Sequence, residues 1–267
     1  MNKKVFKAGE LLKRVRKSSP VVHHITNWVT IYDCANIVKV LGASPVMAHA
    51  PEESGQMCSI ASSLVLNIGT LTPELIESMK IAAKAANKKG IPVVLDVCGA
   101  GATALRDQKS FELLDETKID VIKGNSSEIA RIAGEKVSTR GVDAGEIDKD
   151  LVKISRDLSL RRKAVVVVTG KTDIVTDGTV DFFVKNGVPL MSKVVGTGCM
   201  ASSVIGAFAA VEKDLTKACA GALACFEVAS EIASFKSKGP GSFKENLFDA
   251  IYLLTPGILN KRQKIIC

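Results

Sequence analysis

Four short segments place residues capable of chemistry beside glycines or at the ends of apolar runs. The first is Val194-Val195-Gly196-Thr197-Gly198-Cys199-Met200-Ala201-Ser202, where two glycines flank a hydroxyl residue just before a stretch of small residues. Glycine permits a backbone whose successive N–H groups converge, and a helix start adds unpaired donors and the positive end of a dipole. Such a turn can hold the negative charge that builds on a phosphoryl group in transfer. The spacing of a Walker loop is absent, so by spacing alone the segment is equally a plain loop-to-helix junction.

The second segment, Asp120-Val121-Ile122-Lys123-Gly124-Asn125-Ser126-Ser127-Glu128, reads as a strand, a short loop and a helix start. Asn125 and Glu128 have the spacing of an N-cap and its capping-box partner. The same residues could set Glu128 near Mg2+ or its water shell, with Lys123 facing phosphates. In the third, Val93-Val94-Leu95-Asp96-Val97-Cys98-Gly99-Ala100-Gly101-Ala102-Thr103, an acid closes a buried strand ahead of a glycine-rich loop. Asp96 either caps that loop or faces metal-bound water or a nearby cation.

The fourth pairs His23-His24-Ile25-Thr26-Asn27-Trp28-Val29-Thr30 with Gly42-Ala43-Ser44-Pro45-Val46-Met47-Ala48. Adjacent histidines point in different directions on any regular element, which argues against a metal pair. Asn27 can hydrogen-bond a ring heteroatom, and Met47 can either lie on a flat apolar ring or fill the core. Trp28, the single tryptophan, has no stacking neighbour in the sequence and takes no role.

The elements that must position these residues alternate. Apolar runs predict strands at Ser44–Ala48, Leu64–Ile68, Pro92–Asp96, Asp120–Lys123 and Ala164–Thr169, with helical patterns at Thr30–Leu41, Pro73–Lys89 and Asp148–Arg161. Thr72-Pro73-Glu74 is a helix start and Gly90 a stop. Ile174–Thr176 and Thr179–Val184 flank Asp177-Gly178, the signal for a two-residue hairpin turn. From Thr197 onward the chain reads as mostly helical. This order predicts an α/β fold with an open, largely parallel sheet and helices on both faces, in which ligands sit at the carboxyl ends of strands. No linker, repeat or low-complexity tract divides residues 1–267, so one domain is expected.

Composition bounds the function. Of 267 residues 46% are apolar and only 4% aromatic, so the core is built from aliphatic side chains, as suits strands buried on both faces. The net charge of +8 raises nucleic acid as a ligand. The basic clusters, such as Lys13-Arg14-Val15-Arg16-Lys17, carry no aromatic residues that would stack bases, so no nucleic-acid partner is expected. Seven cysteines at irregular spacing, without a C-x-x-C pair, predict neither a disulfide framework nor structural zinc, and suit a reducing cytoplasm. Met1 to Lys17 has no apolar core of a signal peptide, and the uncharged stretch Val194 to Val211 reads as a loop and a buried helix, so no membrane is expected.

In their order and spacing, these segments resemble the hydroxyethylthiazole kinases, thiamine-salvage enzymes of the ribokinase-like superfamily. The resemblance runs nearly end to end, through His24-Ile25-Thr26-Asn27, Asp33-Cys34-Ala35-Asn36, Gly42 to Met47 and Asp96 with Gly99 to Thr103. It continues through Lys123-Gly124-Asn125 with Glu128, Val168-Thr169-Gly170, Gly196 to Cys199 and Gly239-Pro240-Gly241-Ser242-Phe243. It implies a ribokinase-like fold and transfer of the ATP γ-phosphoryl group, with Mg2+, onto 4-methyl-5-(2-hydroxyethyl)thiazole. It also implies a homotrimer with sites between neighbouring subunits.

By position, Met47, Gly196 and Asn27 would meet the substrate, and Lys123, Thr169 and Asn125 the ATP. Asp96 and Glu128 would organise Mg2+ and its waters. Thr197, Gly198 and Cys199 would form the catalytic turn, with Cys199 as a positioning residue and weak base where the wider superfamily has an aspartate. Two departures stand out. Lys123 replaces the family's usual arginine, exchanging a bidentate fork for a point charge. Val97-Cys98 replaces Pro-Val, which predicts a looser loop after Asp96. The rival readings are a kinase for a pyridoxal-like or pyrimidine alcohol, an ATP-dependent hydro-lyase acting on hydrated nicotinamide cofactors, and a nucleic-acid-binding module.

Overall fold

The aliphatic runs of the sequence become strands because both of their faces are covered by helices. A computed structural model of the chain describes residues 6–135 and 150–267. Its strands are β1 (Val21–Ile25), β2 (Ser44–Val46), β3 (Ser63–Asn67), β4 (Val93–Asp96), β5 (Val121–Asn125), β6 (Val165–Thr169), β7 (Asp173–Thr176), β8 (Asp181–Val184) and β9 (Ile265–Ile266). They form one nine-stranded sheet in the order β2-β1-β3-β4-β5-β6-β7-β8-β9. Pairing is parallel from β2 through β6 and antiparallel from β6 to β9.

The helices are α1 (Ala8–Ser18), α2 (Ile31–Leu41), α3 (Pro51–Met57), α4 (Pro73–Lys89), α5 (Ala104–Glu116), α6 (Ser126–Ile132), α7 (Leu151–Arg162), α8 (Thr197–Ala209), α9 (Leu215–Lys236), α10 (Pro240–Leu253) and α11 (Pro256–Arg262). Side chains of α1, α2, α8, α9, α10 and α11 share one core with Val22, Val65, Val94 and Val121. Side chains of α4, α5 and α6 share the opposite core with Leu64, Leu66, Val93, Leu95 and Ile122. The open, largely parallel sheet with helices on both faces is therefore observed.

Four expected strands lie where the apolar runs placed them, within two residues at each end. The first, Ser44–Ala48, shrinks to β2 at the sheet edge. The expected helix Asp148–Arg161 is α7 from Leu151, and Asp148 lies outside the described residues. The hairpin is real, but its connection is Asp177–Val180, longer than the two residues expected. The Asp177 carboxylate accepts the Thr179 and Val180 N–H groups, both at 2.8 Å, and so closes the turn through a side chain.

Strand β1 was not anticipated, because His23-His24 interrupts its apolar run. Both rings are fully buried. The His23 ring bonds the Ala48 carbonyl at 2.9 Å and the His24 ring the Val22 carbonyl at 3.0 Å. Burial pushes the His24 imidazole down to about 3, so it stays neutral in the fold. Its ordinary value is 6.5, and an unfolded chain takes up a proton there that the folded chain refuses. The contribution to stability is thus complete above pH 6.5 and is lost as pH falls towards 3, at about 1.4 kcal/mol per pH unit. Urea unfolding across this range should show the slope, and His24→Gln should flatten it.

Strand period and register then do the positioning. Val65, Val94 and Val121 face α8, so Asn67, Asp96 and Lys123, each two residues further on, face α8 as well. Asn67 is registered against Asp96, and Asp96 against Lys123. The result is one polar row across three adjacent strand ends. Helix α8 lies close upon it because its residues are small. A Cβ at Gly206 would stand 2.4 Å from Val65 Cγ2, so only glycine lets the helix approach this strand.

Candidate active site

The row faces the start of α8. Asp96 and Lys123 are 1% and 4% exposed, and Lys123 Nζ stands 3.2 Å from Asp96 Oδ2. The same ammonium donates to the Gly198 carbonyl at 3.1 Å, and Ser202 Oγ donates to Asp96 Oδ2 at 2.6 Å. Asp96 Oδ1 is buried without a hydrogen-bond partner. Burial alone would discharge the Lys123 ammonium, but Asp96 and then Glu128 outweigh it and raise its pKa. Asp96 is therefore a charged partner within the row, and the reading of it as a loop cap is not what the structure shows.

Glu128 is the capping-box partner that the spacing allowed. It completes a capping box with Asn125, whose side chain accepts the Glu128 N–H at 3.0 Å. Its own oxygens accept the Asn125 and Gly99 N–H groups, each at 2.7 Å. Burial first, and the Asp96 charge second, push its carboxyl up to about 7, against the pull of Lys123 and the two N–H donors. The cap thus holds a buried acid close enough to Asp96 and Lys123 for their charges to act on it.

The loop between Asp96 and α5 is pinned, in contrast to the looseness expected without proline. Val97 N–H donates to the Lys123 carbonyl at 2.9 Å, and Gly99 N–H to Glu128. Arg106 ties the loop to its neighbour, donating to the carbonyls of Cys98, Ile68 and Gly69 at 2.9, 3.0 and 2.7 Å. Arg106 was missed in the sequence, where it reads as an ordinary charge on an exposed helix.

At the other end of the row, Asn27 and Asn67 hold Cys199. Asn27 Oδ1 accepts both the N–H and the hydroxyl of Thr30, and Asn67 Oδ1 accepts the Gly69 N–H. Those bonds fix which way each amide points. Asn27 Nδ2 therefore donates to Asn67 Oδ1 at 3.0 Å and to Cys199 Sγ at 3.3 Å, and Asn67 Nδ2 reaches Cys199 Sγ at 3.4 Å. The Cys98 thiol also bonds Cys199 and lowers its pKa below the ordinary value; burial and Asp96 oppose this, while Lys123 assists. Asn67 and Ser202 were missed as site residues. A polar residue closing an apolar strand, the signal that exposed Asp96, would have found Asn67.

The turn itself matches its glycines. Gly196 has φ +93°, and a Cβ there would lie 2.6 Å from Thr30 Cγ2. No side chain caps α8, so its first N–H groups are left for a ligand. The Thr197 hydroxyl is not among them, since it donates back to the Met191 and Val194 carbonyls at 3.1 and 3.4 Å. Thr169 ends β6, with its hydroxyl on the Gly124 carbonyl at 3.3 Å. A cavity of about 670 Å³ opens between Thr169-Gly170 and Thr197-Gly198. Met47 follows β2 at the sheet edge, half-buried and outside the hydrogen-bonded row. Trp28, given no partner from the sequence, packs on His49 with ring centroids 5.0 Å apart.

Known proteins share this fold. The fold is the ribokinase-like one: a ribokinase-like superfamily protein from Enterococcus faecalis superposes with a TM-score of 0.65 over 94% of this chain and 98% of its own, at 13% identity. The model of the hydroxyethylthiazole kinase family matches residues 12–257, and the chain belongs to that family. A hydroxyethylthiazole kinase from Methanosarcina mazei is 52% identical over 95% of this chain and 97% of its own. One from Thermoanaerobacter pseudethanolicus is 52% identical over 96% and 98%. The solved hydroxyethylthiazole kinase protein of Pyrococcus horikoshii superposes with a TM-score of 0.87 at 39% identity, over 97% of this chain and 98% of its own.

Proposed function

We propose that the protein transfers the γ-phosphoryl group of ATP, with Mg2+, to the primary alcohol of 4-methyl-5-(2-hydroxyethyl)thiazole, giving the thiazole phosphate and ADP. The observation that carries this is the polar row Asn67–Asp96–Lys123 beneath the uncapped start of α8, in a chain of this family. ATP would lie in the cavity beside Thr169, with Lys123 and the cap residue Asn125 behind its phosphates. The thiazole would lie towards Asn27, Met47 and Gly196.

The donor set fits a hard divalent cation. Asp96 offers a buried, unpartnered oxygen, and two carboxylates face one ammonium, which leaves residual negative charge. Asp96 and Glu128 are the residues that would hold Mg2+, Glu128 through water because its oxygens already bind N–H groups. Bound there, Mg2+ would neutralise charge on the phosphates. Among the described residues no group of three His, Cys, Asp or Glu gathers around one point, in keeping with a cation held partly by the nucleotide.

The alcohol attacks the γ-phosphorus in line and ADP departs on the opposite side. The N–H groups of the Gly196–Cys199 turn meet the equatorial oxygens, and Lys123 offsets their charge. The transition state is loose, so the alcohol keeps its proton until late and needs little help from a base. Cys199, held by two amides, aligns the hydroxyl and accepts that proton weakly. Cys199→Ala should therefore reduce kcat by less than about tenfold and mainly raise KM for the alcohol. A loss of several orders of magnitude, in a folded variant that binds both ligands, would make the thiol essential.

Exposed apolar residues flank in sequence, as a collar, the segments proposed to meet the substrate. Trp28, Val29 and Tyr32 lie at the start of α2, with Tyr32 75% exposed, and Val195 precedes the turn. This collar supports a homotrimer whose sites lie between subunits. All seven cysteines are free, which supports a cytoplasmic setting. Helix α9 is long and apolar enough to cross a membrane, yet it is mostly buried in the domain, which supports a reading without one. The continuous sheet supports a single catalytic domain. ADP release measured across the thiazole, pyridoxal-like and pyrimidine alcohols tests the substrate: the thiazole should dominate kcat/KM, and preference for another alcohol would refute it.

A further inference from the structure

The cavity beside the α8 turn has a floor that phosphoryl transfer does not use. Two acids close it: Asp173 at the start of β7 and Glu227 within α9, 2% and 6% exposed. Leu223 and Phe226 of α9 line the same wall, and burial leaves both acids little solvent. Two carboxylates pressed together there cannot both be charged.

Asp173 Oδ2 and Glu227 Oε2 are both buried without a hydrogen-bond donor, and each carboxyl stands close enough to act on the other. A single proton between those two oxygens satisfies both. Burial raises the pKa of both acids, and Asp173 adds to the rise at Glu227, so the pair retains a proton between them. Glu231 adds to this and Lys264 opposes it, while Lys123 acts on Asp173. The remaining Asp173 oxygen, Oδ1, accepts the Gly170 N–H at 2.9 Å. That bond anchors the turn that follows Thr169.

We infer that Asp173 and Glu227 act as one unit around a shared proton, and that this unit positions the Thr169-Gly170 turn for the nucleotide. The inference rests on the reading of this cavity as the nucleotide site. Sharing a proton has two effects. It keeps Asp173 fixed as the acceptor for Gly170, and it removes one negative charge from the wall of a cavity that must admit a polyanion. Asp173 and Glu227 are positioning residues, because they act through the turn.

The test is calorimetric titration of a non-hydrolysable ATP analogue, together with KM and kcat, on the wild type, Glu227→Gln and Glu227→Ala. Glutamine can donate its amide to Asp173 Oδ2, and its affinity should stay within about twofold of wild type. Alanine leaves the buried Asp173 Oδ2 without a donor, and should weaken analogue binding roughly tenfold with KM for the alcohol unchanged. An infrared difference spectrum of wild type against Glu227→Gln, at neutral pH, should show the carbonyl stretch of a protonated acid in the wild type alone. This readout holds even if the alanine variant fails to fold. Equal affinity in wild type and Glu227→Ala, glutamine as damaging as alanine, or no acid band would each overturn the inference. If the wild type binds no analogue, the nucleotide reading of the cavity fails and the inference with it; wild-type binding that is indifferent to Glu227 refutes the inference alone.

Discussion

Asp96→Asn is expected to lower kcat by about two to three orders of magnitude while the protein stays folded. The amide oxygen can keep the bonds from Ser202 at 2.6 Å and Lys123 at 3.2 Å, so the row should retain its shape. What disappears is the charge. The buried Oδ1, unpartnered in the structure, becomes an amide nitrogen that repels a cation. Glu128, whose pKa Asp96 helps to raise, then falls towards its ordinary value and is left as the single acid facing the phosphates. Kinetics at varied Mg2+ should show a raised metal requirement together with the fall in kcat. Unchanged kcat at every Mg2+ concentration would leave Asp96 with a structural role only.

The second large effect is on Lys123. Lys123→Met removes the ammonium that faces Asp96 and Glu128 and that binds the Gly198 carbonyl at 3.1 Å. Breaking a buried pair from one side leaves an uncompensated charge and costs about 3–5 kcal/mol of stability. Denaturant unfolding should show that loss, and KM for ATP should rise. Adding Asp96→Asn to Lys123→Met removes the orphaned charge, so the double variant should be more stable than Lys123→Met alone. If the two effects simply add, the buried pair does not exist in solution. Lys123→Arg keeps the charge, although the guanidinium needs more room below the Gly198 carbonyl. Activity should survive there.

Much of the sheet was legible because strands buried on both faces read as unbroken aliphatic runs, as Val165–Thr169 does. Strand β1 was hidden because two histidines sit in its core, each with one ring nitrogen on a backbone carbonyl. The site was legible in part. Asp96, Lys123 and Glu128 stand at strand ends or helix starts beside glycines, where an α/β sheet gathers ligands. Their contact is a matter of register, and register is a property of pairing between distant segments. For the same reason Asn67 and Ser202 went unseen: each looks ordinary until β3 and α8 are laid beside β4. The Thr197 hydroxyl shows the converse, since a residue placed between two glycines turns its side chain away from the site.

The measurement that bears most directly on the proposed reaction is mass spectrometry of the products formed from ATP, Mg2+ and the thiazole alcohol. The expected result is the thiazole monophosphate, formed in equal amount with ADP and dependent on Mg2+. Inorganic phosphate in place of a phosphorylated alcohol, or no product from the thiazole while a pyridoxal-like or pyrimidine alcohol is phosphorylated, would contradict it.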